Sequence, residues 1–253
     1  MVDRMMSGLA RFRFTLGYLA ALAAVSIAAV VIEPQRRAEL IQRASTNLHN
    51  LARGHLDTLL GSAFVVEAGP IYFWMPFLAC LLALAELQLS TFRLVVAFAI
   101  GHIGATLVVA AVLAAAVTVG WIPPSITRAS DVGMSYGALA ALGALTATIP
   151  RPWRPAWIGW WLSLAAVAVC LEGGFTNVGH TVAIILGVLV STRFREPITW
   201  SPVRLVMLVM SVGFGFLILA HHWYVMIPGA LIAALGAAFA TAVARAATWL
   251  RTG

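Results

Sequence analysis

Eight separate apolar runs, near residues 14–32, 71–88, 93–119, 133–149, 156–171, 176–192, 203–220 and 224–246, decide what this chain can fold into. Each is long enough, or nearly so, to cross about 30 Å of hydrocarbon as a helix. Inside a bilayer only helices and closed barrels satisfy every backbone N–H and C=O. The expectation is an all-α polytopic membrane protein of eight spans, the last two parted only by His221-His222-Trp223. Composition agrees: 62% of residues are hydrophobic and 10% are charged, outside the range of soluble domains. The first run follows Arg4, Arg11 and Arg13 as a signal peptide would. Its length, and the Glu33-Pro34-Gln35-Arg36-Arg37 that follows in place of a small-residue cleavage site, predict a retained helix instead.

Charge placement predicts the orientation, because Lys and Arg near helix ends stay on the cytoplasmic side. With the N-terminus inside, Arg4, Arg11, Arg13, Arg93, Arg151, Arg154, Arg193, Arg195, Arg204, Arg245 and Arg251 fall inside, against Asp3 and Glu196. The outer segments balance Arg36, Arg37, Arg43, Arg53 and Arg128 with Glu33, Glu39, Asp57, Glu67, Asp131 and Glu172. Both termini are then cytoplasmic, in a plasma (inner) membrane. The basic excess reflects topology, and no nucleic-acid partner is implied. Cys80 and Cys170 lie in separate apolar runs and read as packing residues. His221 and His222 have no carboxylate or cysteine nearby, and adjacent histidines on a helix or loop point apart, so they read as interface residues and neither a metal nor a cofactor is expected.

Residues 33–70 form the one sizeable extramembrane stretch. Leu40, Ile41, Leu48, Leu51, Leu56, Leu59 and Leu60 recur there at helical spacing among Arg43, Asn47, His49, Arg53, His55 and Asp57, the pattern of a helix lying in the outer interface.

Two polar residues stand out inside the apolar runs. Ser135 lies in Gly133-Met134-Ser135-Tyr136-Gly137 at the start of the fourth span, and His180 follows Gly179 near the start of the sixth. Both spans run from outside to inside, so each residue is recessed by roughly 5–8 Å from the same surface, and contact is possible. A serine at a helix N-terminus has unpaired N–H groups and the positive end of the helix dipole beside it, and neutral imidazole can take its proton. The same residues also fit plain packing. Gly133 and Gly137 make Gly-x-x-x-Gly, and Gly179, Ala183 and Gly187 place small residues every fourth position. His102, counted from the inner end of the third span, falls roughly 20 Å in depth from Ser135 and reads as a packed, hydrogen-bonded helix residue.

The order of these features resembles the rhomboid family of intramembrane serine proteases. Gly133-Met134-Ser135 is similar to the start of the family's Gly-x-Ser-Gly motif. Gly179-His180-Thr181-Val182-Ala183, followed by Gly187, is similar to its Ala-His-x-x-Gly helix. Glu86-Leu87-Gln88-Leu89-Ser90-Thr91-Phe92-Arg93 resembles the family's turn after the second helix, where Glu is followed by Gly at the fourth position and a basic residue at the seventh. The resemblance implies a rhomboid-like six-helix core over residues 14–192, after a cytoplasmic 1–13 and before two extra spans in 193–253. It makes Ser135 the nucleophile and His180 the general base, with Glu86, Ser90, Arg93, Gly137, Ala183 and Gly187 structural. The partners implied are the lipid bilayer and a transmembrane protein substrate or client.

The chain departs from the pattern at several places. Tyr136 stands where the family has glycine after the serine, Ala183 where it has glycine one turn after the histidine, and Leu139 where a tyrosine stacks on the histidine. The family's His-x-x-x-Asn oxyanion pair aligns with Pro70 and Trp74, or with His55 and Leu59. Oxyanion candidates are therefore Gly133, Met134, His49, Asn50 and His55. Two readings follow: a protease cutting a partner's span near the outer face, and an inactive relative that binds membrane helices. A small transporter or channel is a weaker third, since the spans carry few ionisable residues beyond Glu86 and His102.

Overall fold

The computed structural model describes residues 10–66, 71–194 and 200–252; Asp3, Arg4, Glu67, Pro70, Arg195 and Glu196 lie outside them. Its α-helices are α1 (Arg13–Val31), α2 (Pro34–Ala44), α3 (Leu48–Ala52), α4 (Thr58–Gly61), α5 (Ile71–Leu89), α6 (Thr91–Thr118), α7 (Ser135–Ala144), α8 (Arg154–Glu172), α9 (Phe175–Ser191), α10 (Pro202–Leu219) and α11 (Trp223–Thr252), and no strand occurs among the described residues. Six helices, α1, α5, α6, α8, α10 and α11, are long and apolar enough to span a membrane, and α9 is a shorter apolar helix. The protein is an all-α polytopic membrane protein.

Helix α7 sits at the centre. Every residue from Tyr136 to Ala144 is buried, and the helix continues as a 3-10 turn over Leu145–Thr148. Small side chains on all its faces let neighbours approach to backbone contact, the packing mode of membrane helices. A Cβ at Gly101 of α6 would overlap Ala140, one at Gly187 of α9 would overlap the Ala140 carbonyl, and one at Gly143 would lie 2.6 Å from the Ile184 carbonyl. The 3-10 turn leaves carbonyls without partners, which Arg154 supplies: Nε donates to Ile149 O (2.9 Å) and Nη2 to Ala147 O (2.7 Å).

At the end of the bundle away from Ser135, Glu86 is buried and accepts four hydrogen bonds. Phe14 N (2.9 Å) and Thr91 Oγ1 (2.7 Å) donate to Oε1, and Thr15 N (3.0 Å) and Thr15 Oγ1 (2.7 Å) donate to Oε2. A carboxylate on the first-turn amides of α1 completes donors that a helix cannot satisfy itself and favours its dipole. The sequence placed Glu86 between the second and third spans; it reaches the first span as well. Arg93 lies with its guanidinium carbon 5.6 Å from the Phe194 ring centre.

The stretch 33–66 is not one interfacial helix. Ser45 and Asn47 adopt extended backbone, where Asn47 caps α3 by accepting from Asn50 N, and Gly54 takes φ +82°. The polar residues Ser45, Thr46, Asn47, Thr58 and Ser62 are buried while Leu56 and Leu60 are exposed. Their hydrogen bonds run to the loop before α7: Thr46 N donates to Asp131 O (3.0 Å), Asp131 N to Ser45 Oγ (2.7 Å) and Gly133 N to Ser62 O (2.9 Å). Tyr18 Oη donates to Ala63 O (2.6 Å), tying the same cap to α1.

The last two helices contribute Phe214, Leu219, Val225 and Ala233 to the buried core. Helix α11 lies against α8, where a Cβ at Gly159 would overlap the Gly236 carbonyl, and α10 meets α5 through Phe214 and Trp74, whose rings are 6.4 Å apart. Helix α11 runs on to Thr252, six residues past the expected end of the eighth span.

Candidate active site

Ser135 is the first residue of α7, delivered there by Gly133, whose φ of +133° turns the chain into the helix. From α9, His180 projects toward it, and Ser135 Oγ lies 3.0 Å from His180 Nε2. His180 is 5% exposed and Ser135 is only partly buried, so the hydroxyl is the accessible member of the pair. Buried and without a hydrogen-bond partner, His180 Nδ1 is not held by any third polar group among the described residues. Tyr136 holds the ring instead: its own ring meets the imidazole edge to face at 5.5 Å, and packs so tightly on Gly179 that a Cβ there would overlap it. Gly179 thus has a steric reason in addition to its place in a small-residue stripe.

The first turn of α7 supplies the electrophilic side. No described residue accepts from the backbone N–H of Met134, Ser135, Tyr136 or Gly137, and no side chain caps the helix. Those donors and the dipole suit a developing oxyanion next to Ser135 Oγ. The other oxyanion candidates are engaged or elsewhere. Gly133 N is spent on Ser62 O (2.9 Å), and Asn50 Nδ2 on Gln42 O (2.8 Å) and Ser45 O (2.7 Å). His49 lines an open groove with Arg43, Arg53 and Arg128; desolvation, and then the charges of Arg53, Arg128 and His55, hold it below the ordinary histidine range. His55 is exposed, its carbonyl accepting from Thr58 Oγ1 (2.6 Å). Trp74, at the family's asparagine position, is turned onto Phe214.

A second serine–histidine contact escaped the sequence. Ser62 Oγ lies 3.1 Å from His102 Nε2, with Thr46 Oγ1 2.9 Å from the same hydroxyl. The 20 Å depth given to His102 is corrected, since its ring centre is 6.5 Å from that of Tyr136. The reason is the unequal length of the spans. Ser135 stands roughly 20 Å above the end of a short α7 and its 3-10 turn, and His102 roughly 17 Å above the start of α6, so the two share a depth. Ser62 and His102 are 1% and 4% exposed, and Ser62 opens only a three-residue 3-10 turn that continues from α4, so this pair pins residues 33–66 to α6.

A family model described as rhomboid-like protein matches residues 12–197. The chain belongs to the rhomboid-like family. No curated protein and no solved structure matches it. The family match ends just before α10, and the last two helices of this rhomboid-like protein lie beyond the matched region.

One further correction concerns the C-terminal pair. The chain leaves helical geometry between α10 and α11, and His221 and His222 do not point apart. Their rings lie 4.1 Å from one another and both turn Nδ1 toward Glu172.

Proposed function

We propose that this rhomboid-like protein is an intramembrane serine endopeptidase. The observation that carries the reading is the 3.0 Å contact between Ser135 Oγ and His180 Nε2 at the unpaired N-terminus of a buried central helix. In the reaction His180 Nε2 takes the hydroxyl proton as Ser135 Oγ attacks the scissile carbonyl carbon. The oxygen's negative charge is received by first-turn amides of α7. Collapse expels the amine, which takes the proton from His180, and water then hydrolyses the acyl-enzyme by the same base. The substrate is a partner's transmembrane segment, cut near the face that carries Ser135. By the arginine distribution that face is the outer one and both termini are cytoplasmic.

A second reading has its own support. Among the described residues, Trp74 and Leu59, which align with the family's oxyanion asparagine, offer no amide donor to Ser135, and loss of one such donor costs about 10²–10³ in turnover. A protein built this way binds membrane helices without cutting them. Reaction with a fluorophosphonate probe in detergent separates the two. We expect wild type and Ser62→Ala to be labelled, and Ser135→Ala and His180→Ala to be unlabelled while folded. Labelling that survives Ser135→Ala, or is absent from wild type while a probe-reactive rhomboid run alongside is labelled, sinks the proposal.

A further inference from the structure

At the same end of the bundle as Ser135, the α8 terminus meets the α10–α11 loop. There the Glu172 carboxylate, 3% exposed, faces two imidazoles: His221 Nδ1 is 3.1 Å from Oε2 and His222 Nδ1 is 3.2 Å from Oε1. Asn177 Nδ2 also donates to Oε2 (3.0 Å), and His222 N approaches Oε1 at 3.4 Å. One ligand atom from each of Glu172, His221 and His222 falls within 4.8 Å of the other two.

We propose that Glu172, His221 and His222 bind a divalent transition-metal ion of the zinc class. Around a tetrahedral ion with bonds of about 2.0–2.1 Å, neighbouring donors stand roughly 3.3 Å apart, which the two nitrogen–oxygen separations already approach. Two neutral imidazoles and one carboxylate form a borderline donor set that suits zinc, cobalt or nickel better than magnesium or calcium. Both histidines are about half exposed, so the fourth position opens to solvent, the pattern of a three-ligand site that keeps a water. Asn177 acts from outside the ligand set, fixing the carboxylate that the metal would share. On binding, each neutral imidazole carries its proton on Nε2, so that Nδ1 is free for the ion and the two hydrogen bonds to the carboxylate give way to bonds to the ion.

The consequence is a clasp. Glu172 ends α8 of the matched region, and the histidines belong to the loop between the last two helices, so an ion here locks α10 and α11 onto that region. It also fixes Asn177, which stands one helical turn before His180 in α9. The inference does not rest on the chemistry of Ser135.

The test uses the full chain, free of any affinity tag, purified in detergent and stripped with a chelator. Cobalt(II) is titrated while the visible d–d absorption of a four-coordinate ion is followed, and zinc is then added in competition. One cobalt per chain, displaced by zinc and unaffected by excess magnesium, is expected. His221→Gln and His222→Gln, half-exposed loop substitutions that leave the core untouched, should each weaken binding about tenfold or more, and Asn177→Ala about tenfold. Zinc should raise the unfolding temperature of wild type and not of the double histidine variant. The absence of a four-coordinate spectrum in wild type, or equal binding by the double variant, overturns the proposal and leaves a hydrogen-bonded latch.

Discussion

Among the described residues only Ser90 has a positive φ without being glycine, +83° with ψ 156°. It stands where the family turn has glycine, and a side chain in this region costs of order 1–3 kcal/mol. Ser90→Gly is expected to raise stability by about 1 kcal/mol, seen as a higher unfolding temperature in detergent. Asp131 carries a second local cost. Burial pushes its carboxyl up to about 6, tempered by the Tyr136 hydroxyl, which lies beside it without a partner of good hydrogen-bond geometry. Because the folded state binds the proton more tightly than the unfolded one, this group's stabilisation is full below about pH 4 and is lost as pH rises through about 6. The expected loss is about 3 kcal/mol at most, opposite in sign to that of a salt-bridged carboxylate. Asp131→Asn should flatten that part of the stability profile between pH 4 and 7; an unchanged slope would show that Asp131 does not cause it.

The elements show why some of the site was legible in the sequence and some was not. Ser135 and His180 were readable because each opens an apolar helix running in the same direction, so counting residues from the helix start is enough to match their depths. His102 defeated the same arithmetic because α6 has 28 residues and α7 has 10, and spans of unequal length do not share a ruler. Ser62 carried no signal, being a small polar residue in a segment whose leucine spacing suggested one continuous helix. That segment breaks because Ser45, Thr46 and Asn47 find side-chain and loop partners better than helix bonds. Glu172 and His222 are 50 positions apart, and only the docking of α10 and α11 brings them together. Glu86, by contrast, was legible as a structural residue of the turn after the second span, and it accepts four hydrogen bonds from three residues. Removing it leaves the Phe14 and Thr15 amides of α1 without an acceptor. Glu86→Ala is expected to destabilise the protein by about 3 kcal/mol and to raise hydrogen exchange chiefly in α1 and the α5–α6 turn. Exchange that rises evenly over all helices would contradict a local tether.

At the scale of the molecule, the fold follows from eight apolar segments and a distribution of glycine and alanine that puts the ten-residue α7 in the middle. The cap over 33–66 and the loop before α7 close the Ser135 end through backbone contacts. The Glu86 and Arg154 contacts fix the other end. Between them α7 presents unpaired amides and a partly accessible hydroxyl to one imidazole. The measurement that tests this account most directly is cleavage of a single-span reporter co-reconstituted with the full chain in liposomes, with products mapped by mass spectrometry. The account predicts a cut near one end of the reporter's span, lost by a factor of at least about 10³ in Ser135→Ala and in His180→Ala. A reporter that co-purifies uncut with wild type, or is cut equally by Ser135→Ala, would contradict it.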